Sequence, residues 1–411
     1  MPNRLTVFES TPFSTKNLSS SAQIELEGLL SQAVYVHGIN ETADQEDKYI
    51  FTPLRDQKLV SWNYVGVVQT SDGTVVEILP KIFRGLEFSE ALPDQYGKAR
   101  SLLLRMLQQA GLISYRKFDS SLLELGKFSL LEVFMHSFLS ETQDLIRKGL
   151  KKDYIGVEKN LTTLKGRIHF PAQVRKNPAA QHRFYCRYDE YCTDCIENRL
   201  LLTAIRKIHR ISKDNQNKKL ATQILPLMDN ISPIHSPEQR HFEQCRNDRH
   251  MRYYEETIKA ARYVLLSPPV PQKGKENTTA ILFNMAALYE KTIEKSLDKG
   301  NSVKNLVAQK ALPWFNDLGS PRPDYILSEN GHNIVADAKW KLPKNGKPNH
   351  TDQYQLFSYM KVLQTETAYI LYPRFESFGL QSSKRYEFAH GGTRLSLHII
   401  PFSLDTFTLS R

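Results

Sequence analysis

The sequence predicts an α+β, multidomain protein: a β-rich N-terminal part, a mainly helical middle region, and a C-terminal mixed sheet covered by helices. Three observations predict it. The apolar spacing moves from the period of strands to that of helices and then alternates between the two. One stretch, SPPVPQKGKEN at 267–277, is rich in Pro, Gly and charge and reads as a linker. The chain has 411 residues, 40% of them hydrophobic and 24% charged. That is an ordinary globular composition, which excludes disorder and fibrous repeats and is long enough for two or three domains. The expected divisions are 1–92, 93–266 and 267–411.

The elements follow in order. RLTVFES and KYIFTPL are β-rich runs, with one short helix expected between them over Gln23 to Gln32. NYVGVVQT and TVVEILPKI flank Ser71-Asp72-Gly73, and Asp-Gly between apolar runs predicts a hairpin. KARSLLLRMLQQAGL, SLLEVFMHSFLSETQDLIRKGLKK, IENRLLLTAIRKIHRI and MRYYEETIKAARYVLL carry apolar residues three and four apart and predict helices. VEKNLTTLKGRIHFP and HRFYCRYDEYC read as a β excursion between them, with Gly166 at a turn. After the linker, ILFNMAALYEKTIEKSL predicts a helix, PRPDYIL and HNIVADAKW strands, DQYQLFSYMKVLQ a helix, and TAYILYP and RLSLHIIPF further strands. Strands alternating with helices imply a mixed, helix-covered sheet.

Charge adds a functional hint. The formal net charge is +11. A net +7 of it lies in residues 141–187, while the first 60 residues hold eight acids and five bases. A local basic stripe is suited to a phosphate backbone, and Lys148, Lys151, Lys152, Lys165, Arg167, Arg175 and Lys176 are its candidate DNA contacts. No run of about 18 apolar residues occurs, so no membrane-spanning helix and no membrane partner is expected. Four cysteines are too sparse for a disulfide scaffold, and the N-terminus lacks the segments of a signal peptide. The expected compartment is therefore the cytoplasm.

The chemistry concentrates in 323–339, PDYILSENGHNIVADAK. Asn330-Gly331 is the strongest two-residue hairpin signal, because both positions accept positive φ. With those two as the loop, Glu329 pairs with His332 and Asp324 falls opposite Asp337. Directly opposed Cβ atoms lie about 4.5–5.5 Å apart. Asp337 and Lys339 are two apart and share a face. Two carboxylates buried side by side are costly unless a cation pairs them. Mg²⁺, or Mn²⁺, fits, since Mg²⁺ is held by one or two carboxylates plus water and phosphate oxygens; the Ala338 carbonyl is a further candidate ligand. Glu290, on the preceding helix, is a candidate third carboxylate or an ordinary solvated residue. Gln355 and Tyr359, four apart on one helix face, are candidates to touch a phosphate or simply to pack.

A helix bearing Glu290, then PD…DAK, then a Q-x-x-x-Y helix with Gln355 and Tyr359 resembles the PD-(D/E)xK nuclease core. More specifically, the chain resembles the McrC family, the nuclease subunit of McrBC modification-dependent restriction systems. NYVGVVQTSDGTVVEILPKIF, LKGRIHF, YDEYCTDCIENRLLLTAI, RYYEETIKAARYVL, RPDYIL…IVADAKWK and DQYQLFSYM carry that likeness, from about residue 60 onward. The resemblance implies a restriction-endonuclease-like C-terminal core that cuts double-stranded DNA with Asp324, Asp337 and Lys339. It also implies a partner, an McrB-like AAA+ GTPase hexamer that recognises methylated cytosine and is stimulated by roughly residues 1–165 of this chain. The chain has no G-x-x-x-x-G-K-[ST] phosphate loop, so GTP would enter only through that partner.

The runners-up are a stand-alone PD-(D/E)xK nuclease and a catalytically silent GTPase adaptor. Intact Asp324, Asp337 and Lys339 argue against the adaptor. Cys186, Cys192 and Cys195, with distant Cys245, His241 and His250, invite a zinc site, but buried apolar cysteine is the better account. HGINETADQED and HGGTRLS are loops without a catalytic partner, and Asn40-Glu41-Thr42 lacks the secretory context of a glycosylation site.

Overall fold

The computed structural model describes residues 4–29, 50–83, 93–113, 129–180, 182–246, 252–266, 278–299, 304–312, 320–329, 332–341, 343, 346–376, 378–390 and 393–409. The Asn330-Gly331 turn, the linker 267–277, His250, the loop HGINETADQED and the last part of the first expected helix lie outside the described residues. The chain forms two compact units, residues 1–131 with 267–411, and residues 132–266.

The N-terminal elements are β1 (Arg4–Phe8), β2 (Phe13–Ser14), α1 (Ser20–Glu27), β3 (Thr52–Leu54), β4 (Lys58–Val60), β5 (Tyr64–Gln69), β6 (Val75–Leu79) and α2 (Pro93–Gln109). Then come α3 (Leu130–Lys148), β7 (Asp153–Leu161), β8 (Arg167–Ile168), α4 (Phe170–Lys176), β9 (Phe184–Cys192), α5 (Ile196–Ile211), α6 (Asn215–Ile224), α7 (Gln239–Glu243) and α8 (Arg252–Leu265). The C-terminal elements are β10 (Thr279–Asn284), α9 (Met285–Lys299), β11 (Lys304–Ala308), β12 (Tyr325–Glu329), β13 (His332–Ala338), α10 (His350–Leu363), β14 (Thr367–Phe375), β15 (Phe378–Gly379), β16 (Lys384–His390), β17 (Thr393–Ser403) and β18 (Thr408–Leu409).

The first unit holds a four-stranded sheet in the order β1-β6-β5-β10 and a larger mixed sheet in the order β11-β12-β13-β14-β17-β16. The Asp-Gly hairpin forms as expected, with Gln69 opposite Val75 and Gly73 at φ 83°. Ile281–Asn284, expected in a helix, are instead the end of β10, which pairs antiparallel with β5. Every residue of β5 is buried, so the strand is covered on both faces and flanked on both edges. The Asn284 side chain then accepts from the Ala286 and Ala287 N–H groups at 2.9 and 3.2 Å, which starts α9 at Met285. The expected division between 1–92 and 267–411 is therefore corrected: the two segments share one sheet and one unit.

Buried charge ties this unit together. Glu77, 0% exposed on β6, accepts from Arg4 at 3.1 Å, Arg100 at 2.8 Å and the Leu130 N–H at 2.8 Å. Glu9, also fully buried, accepts from Trp340 Nε1 at 2.6 Å just beyond β13. In the larger sheet β13, β14 and β17 run parallel to one another, while β12, β11 and β16 are antiparallel additions. Val335, Leu356, Tyr359, Met360, Ile370 and Tyr372 form the core between this sheet and α10.

The second unit holds the sheet β7-β9-β8 and the helices from α5 to α8. Its β excursion is as expected, with Gly166 at φ 70°, but a short helix, α4, falls within it.

Gly66 has φ 133°, and a Cβ there would stand 2.1 Å from the Ile281 carbonyl oxygen. Gly66→Ala forces β5 and β10 apart and is expected to cost at least ~2 kcal/mol. Urea unfolding of the full chain measures this; an unchanged midpoint would show that the β5–β10 pairing tolerates a side chain.

Candidate active site

The hairpin that builds the site has the register expected from its turn. Glu329 pairs with His332, and the ladder runs to Tyr325 opposite Ala336. Asp324 is the next residue, and at the end of the ladder its carboxylate replaces a backbone acceptor: Oδ2 accepts from the Ala338 N–H at 2.7 Å. Asp337, only 1% exposed, points from the same strand face as Lys339. Lys339 Nζ lies 2.6 Å from Asp337 Oδ2 and donates to Gln355 Oε1 at 3.1 Å. Gln355 Nε2 donates to the Tyr359 hydroxyl at 2.8 Å, which donates to the Arg322 carbonyl at 3.3 Å. So Asp337, Lys339, Gln355 and Tyr359 form one connected group, which Asp324 joins through the Ala338 N–H; Asp324 and Lys339 flank the ends of β12 and β13, and Gln355 and Tyr359 lie on α10.

Glu290 makes contacts from α9. Its Oε2 accepts from Gln309 at 3.0 Å, and its backbone carbonyl accepts from the buried Tyr325 hydroxyl at 2.6 Å. Its charge is felt at Asp324. Burial raises Asp324 well above the usual carboxylate range, and the charges of Asp337 and Glu290 raise it further. Burial also raises Asp337, against the lowering effect of the Lys339 ammonium. Lys339 is half-buried, and that desolvation disfavours its charge, yet Asp337 and Asp324 hold its proton above the ordinary lysine range.

One ammonium does not neutralise two poorly solvated carboxylates, so the site calls for further positive charge. Among the described residues no three His, Cys, Asp or Glu side chains are placed to hold a metal ion. The available donor set is therefore the Asp324–Asp337 pair. That set fits Mg²⁺, which takes one or two carboxylates and fills its remaining positions with water and phosphate oxygens.

Sequence reasoning missed a second couple beside the first. Lys341 Nζ lies 2.6 Å from Asp352 Oδ2 and 2.8 Å from Oδ1, and the buried Tyr372 hydroxyl donates to the same carboxylate at 3.4 Å. The signal was present: Lys341 continues the two-residue alternation of Asp337 and Lys339, and Asp352 lies three before Gln355 on α10.

The basic stripe lies in the second unit. Lys148, Lys152, Lys165, Arg167, Arg175 and Lys176 are exposed. Lys165 and Lys176 stand over the Tyr188 and Tyr185 rings, at 4.1 and 4.6 Å. Lys151 is a correction: it is buried, 2.7 Å from Glu197. Its backbone N–H donates to the Tyr254 hydroxyl at 2.7 Å and its carbonyl accepts from Asn198 at 2.9 Å, so it braces α5 and α8. The four cysteines are free thiols, and burial pushes Cys195 up to about 11 and Cys245 up to about 12.

A family model described as McrBC 5-methylcytosine restriction system component matches residues 59–373. The chain belongs to this McrBC family. Every residue of the connected group, and Glu290, lies inside the matched span. Two solved structures are similar at 20% identity. One is a refined half-complex from a tetradecameric assembly of Thermococcus gammatolerans McrB AAA+ hexamers with bound McrC, with a TM-score of 0.73 over 98% of this chain and 95% of that one. The other is a Thermococcus gammatolerans McrBC complex, with a TM-score of 0.52 over 72% of this chain and 88% of that one. At this identity the likeness shows the fold. No curated protein matches the chain.

The raised acid pair sets a pH dependence. Its protons are held more tightly in the folded than in the unfolded chain, where carboxylates titrate near about 4. The associated stability is present below that value and lost as pH rises through the folded values. A divalent cation binds only the deprotonated pair. Millimolar Mg²⁺ should therefore raise the melting temperature more at about pH 8 than at about pH 5, and Asp337→Asn should lose most of that gain. Equal gains in both proteins would remove the pair as the cation site.

Proposed function

We propose that the chain is the DNA-cleaving subunit of a modification-dependent restriction complex, hydrolysing phosphodiester bonds and stimulating an AAA+ GTPase partner. The observation that carries this reading is the buried Asp337 beside the half-buried Asp324, with Lys339 pinned between Asp337 and Gln355. Membership of the McrBC family supports the restriction setting. The likeness to an McrC bound to McrB AAA+ hexamers supports a partner of that kind.

Asp324 and Asp337 would hold Mg²⁺ or Mn²⁺, with the Ala338 carbonyl as a candidate third ligand. The cation, when bound, supplies polarisation of the scissile phosphate and a lowered pKa for an attacking water. Lys339 orients that water and offsets the charge that grows on the phosphate. Gln355 and Tyr359 hold the lysine amine in place, so Lys339 meets the transition state without reorganising. Glu290 adds negative charge at Asp324 and strengthens cation binding from a distance. The exposed lysines and arginines of the second unit contact phosphates and read no sequence. The same charge logic assigns the protein partner to the less basic N-terminal region.

Asp337→Ala should lower cleavage in the complete complex by at least roughly 10²–10³-fold while the chain still folds and binds its partner. Wild-type cleavage by this variant would sink the nuclease assignment. Separately, GTP hydrolysis by the partner hexamer should rise when this chain is added, and the Asp337→Ala chain should stimulate it equally. An unchanged rate with wild type would remove the stimulating role.

A further inference from the structure

Beside the connected group lies the Lys341–Asp352 couple, which the mechanism above does not use. The chain turns tightly after β13, with the Lys341 N–H donating to the Lys339 carbonyl at 2.8 Å. Two lysine side chains thus leave one turn and reach two positions of α10, Gln355 and Asp352. Those positions are three apart, close to one helical turn of about 5 Å. Two flexible lysine side chains so placed can reach neighbouring phosphates of one DNA strand.

The two lysines differ in access. Lys339 is 22% exposed in its side chain and Lys341 is 37% exposed. Asp352 is 4% exposed, and it has support besides Lys341. The Tyr372 hydroxyl donates to it, and it lies in the first turn of α10, whose N-cap Asn349 accepts its backbone N–H at 2.7 Å. A carboxylate in the first turn of a helix is favoured by the helix dipole. Asp352 therefore stays accommodated when the Lys341 ammonium swings away, and Lys341 is held at the rim as a releasable cation.

Resting on the nuclease reading above, we propose that Lys341 is a DNA-binding residue that leaves Asp352 to take a backbone phosphate adjoining the scissile one, with Asp352 as its latch. Lys339 then serves the reacting phosphate and Lys341 its neighbour. Asp352 competes with DNA for Lys341, so removing the latch and removing the lysine act in opposite directions. A merely structural ion pair would make the two losses alike.

The test is binding of the full-length chain to a fluorescently labelled DNA duplex, with Ca²⁺ replacing Mg²⁺, across a salt series. Lys341→Gln should weaken binding about tenfold and reduce the slope of log affinity against log salt by about one. Asp352→Asn should bind as tightly as wild type or a few-fold tighter, with an unchanged slope. Thermal melts check folding. If Lys341→Gln alone does not fold, the double variant Lys341→Gln/Asp352→Asn leaves no unpaired charge and should show the same weakened binding. The inference is overturned if Lys341→Gln, or that double variant, binds like wild type. It is equally overturned if Asp352→Asn weakens binding as much as Lys341→Gln, or if the wild-type chain binds no duplex at any salt. Cleavage with Mg²⁺ and the partner GTPase is scored separately: a wild type that binds but never cuts refutes the nuclease reading and leaves the binding comparison to decide the role of Lys341.

Discussion

The structure around the candidate site depends on keeping a carboxylate, Asp337, inside a central strand of a mixed sheet. β13 has β12 on one edge and β14 on the other, and Asp337 is almost wholly buried. An isolated carboxylate there would take up a proton rather than stay charged. The fold answers with Lys339 two residues on, and with α10 laid over that face to hold the lysine through Gln355. Asp324 enters the same space from the end of β12 and makes the demand for positive charge greater. The tension is built in, because a site that welcomes a divalent cation must be uncomfortable without one.

Other buried charges do the opposite work. Glu77 is surrounded by Arg4, Arg100 and the Leu130 N–H, and gathers β1, β6, α2 and the start of α3. Glu9 takes the Trp340 indole N–H, which anchors the chain directly after Lys339 to the N-terminal segment. Burial raises Glu9, while Lys81 and Trp340 oppose that. Such buried polar contacts select one arrangement among many compact ones, because losing a partner is costly. They explain why an N-terminal segment and a C-terminal one, separated by a whole unit in sequence, fold as a single body.

Much of the site was legible in the linear sequence. The Asn-Gly pair in the sequence predicted the register that β12 and β13 have, and the two-residue period of strands put Asp337 beside Lys339. The four-residue spacing of Gln355 and Tyr359 predicted a shared helix face, and their hydrogen bond follows from it. Legibility stopped where local pattern competes with tertiary demand. Ile281–Asn284 read as part of a helix because the apolar run continues into one; the free edge of β5 made it a strand. Lys151 read as a surface base because neighbouring lysines are exposed; Glu197, far along the chain, buried it.

The sequence by itself determined the local geometry: which hairpin forms, which residues share its faces, where helices start, and that acid and base are concentrated together. Those follow from steric limits on the backbone and from periods of two and 3.6, which act over a few residues. Only the tertiary structure decided which distant partners complete each group: Asp352 with Lys341 and Tyr372, Trp340 with Glu9, β10 with β5, and Gln309 with the Glu290 carboxylate. Pairings of that kind are set by desolvation and by how covered each group becomes, quantities that exist only once the chain has closed on itself.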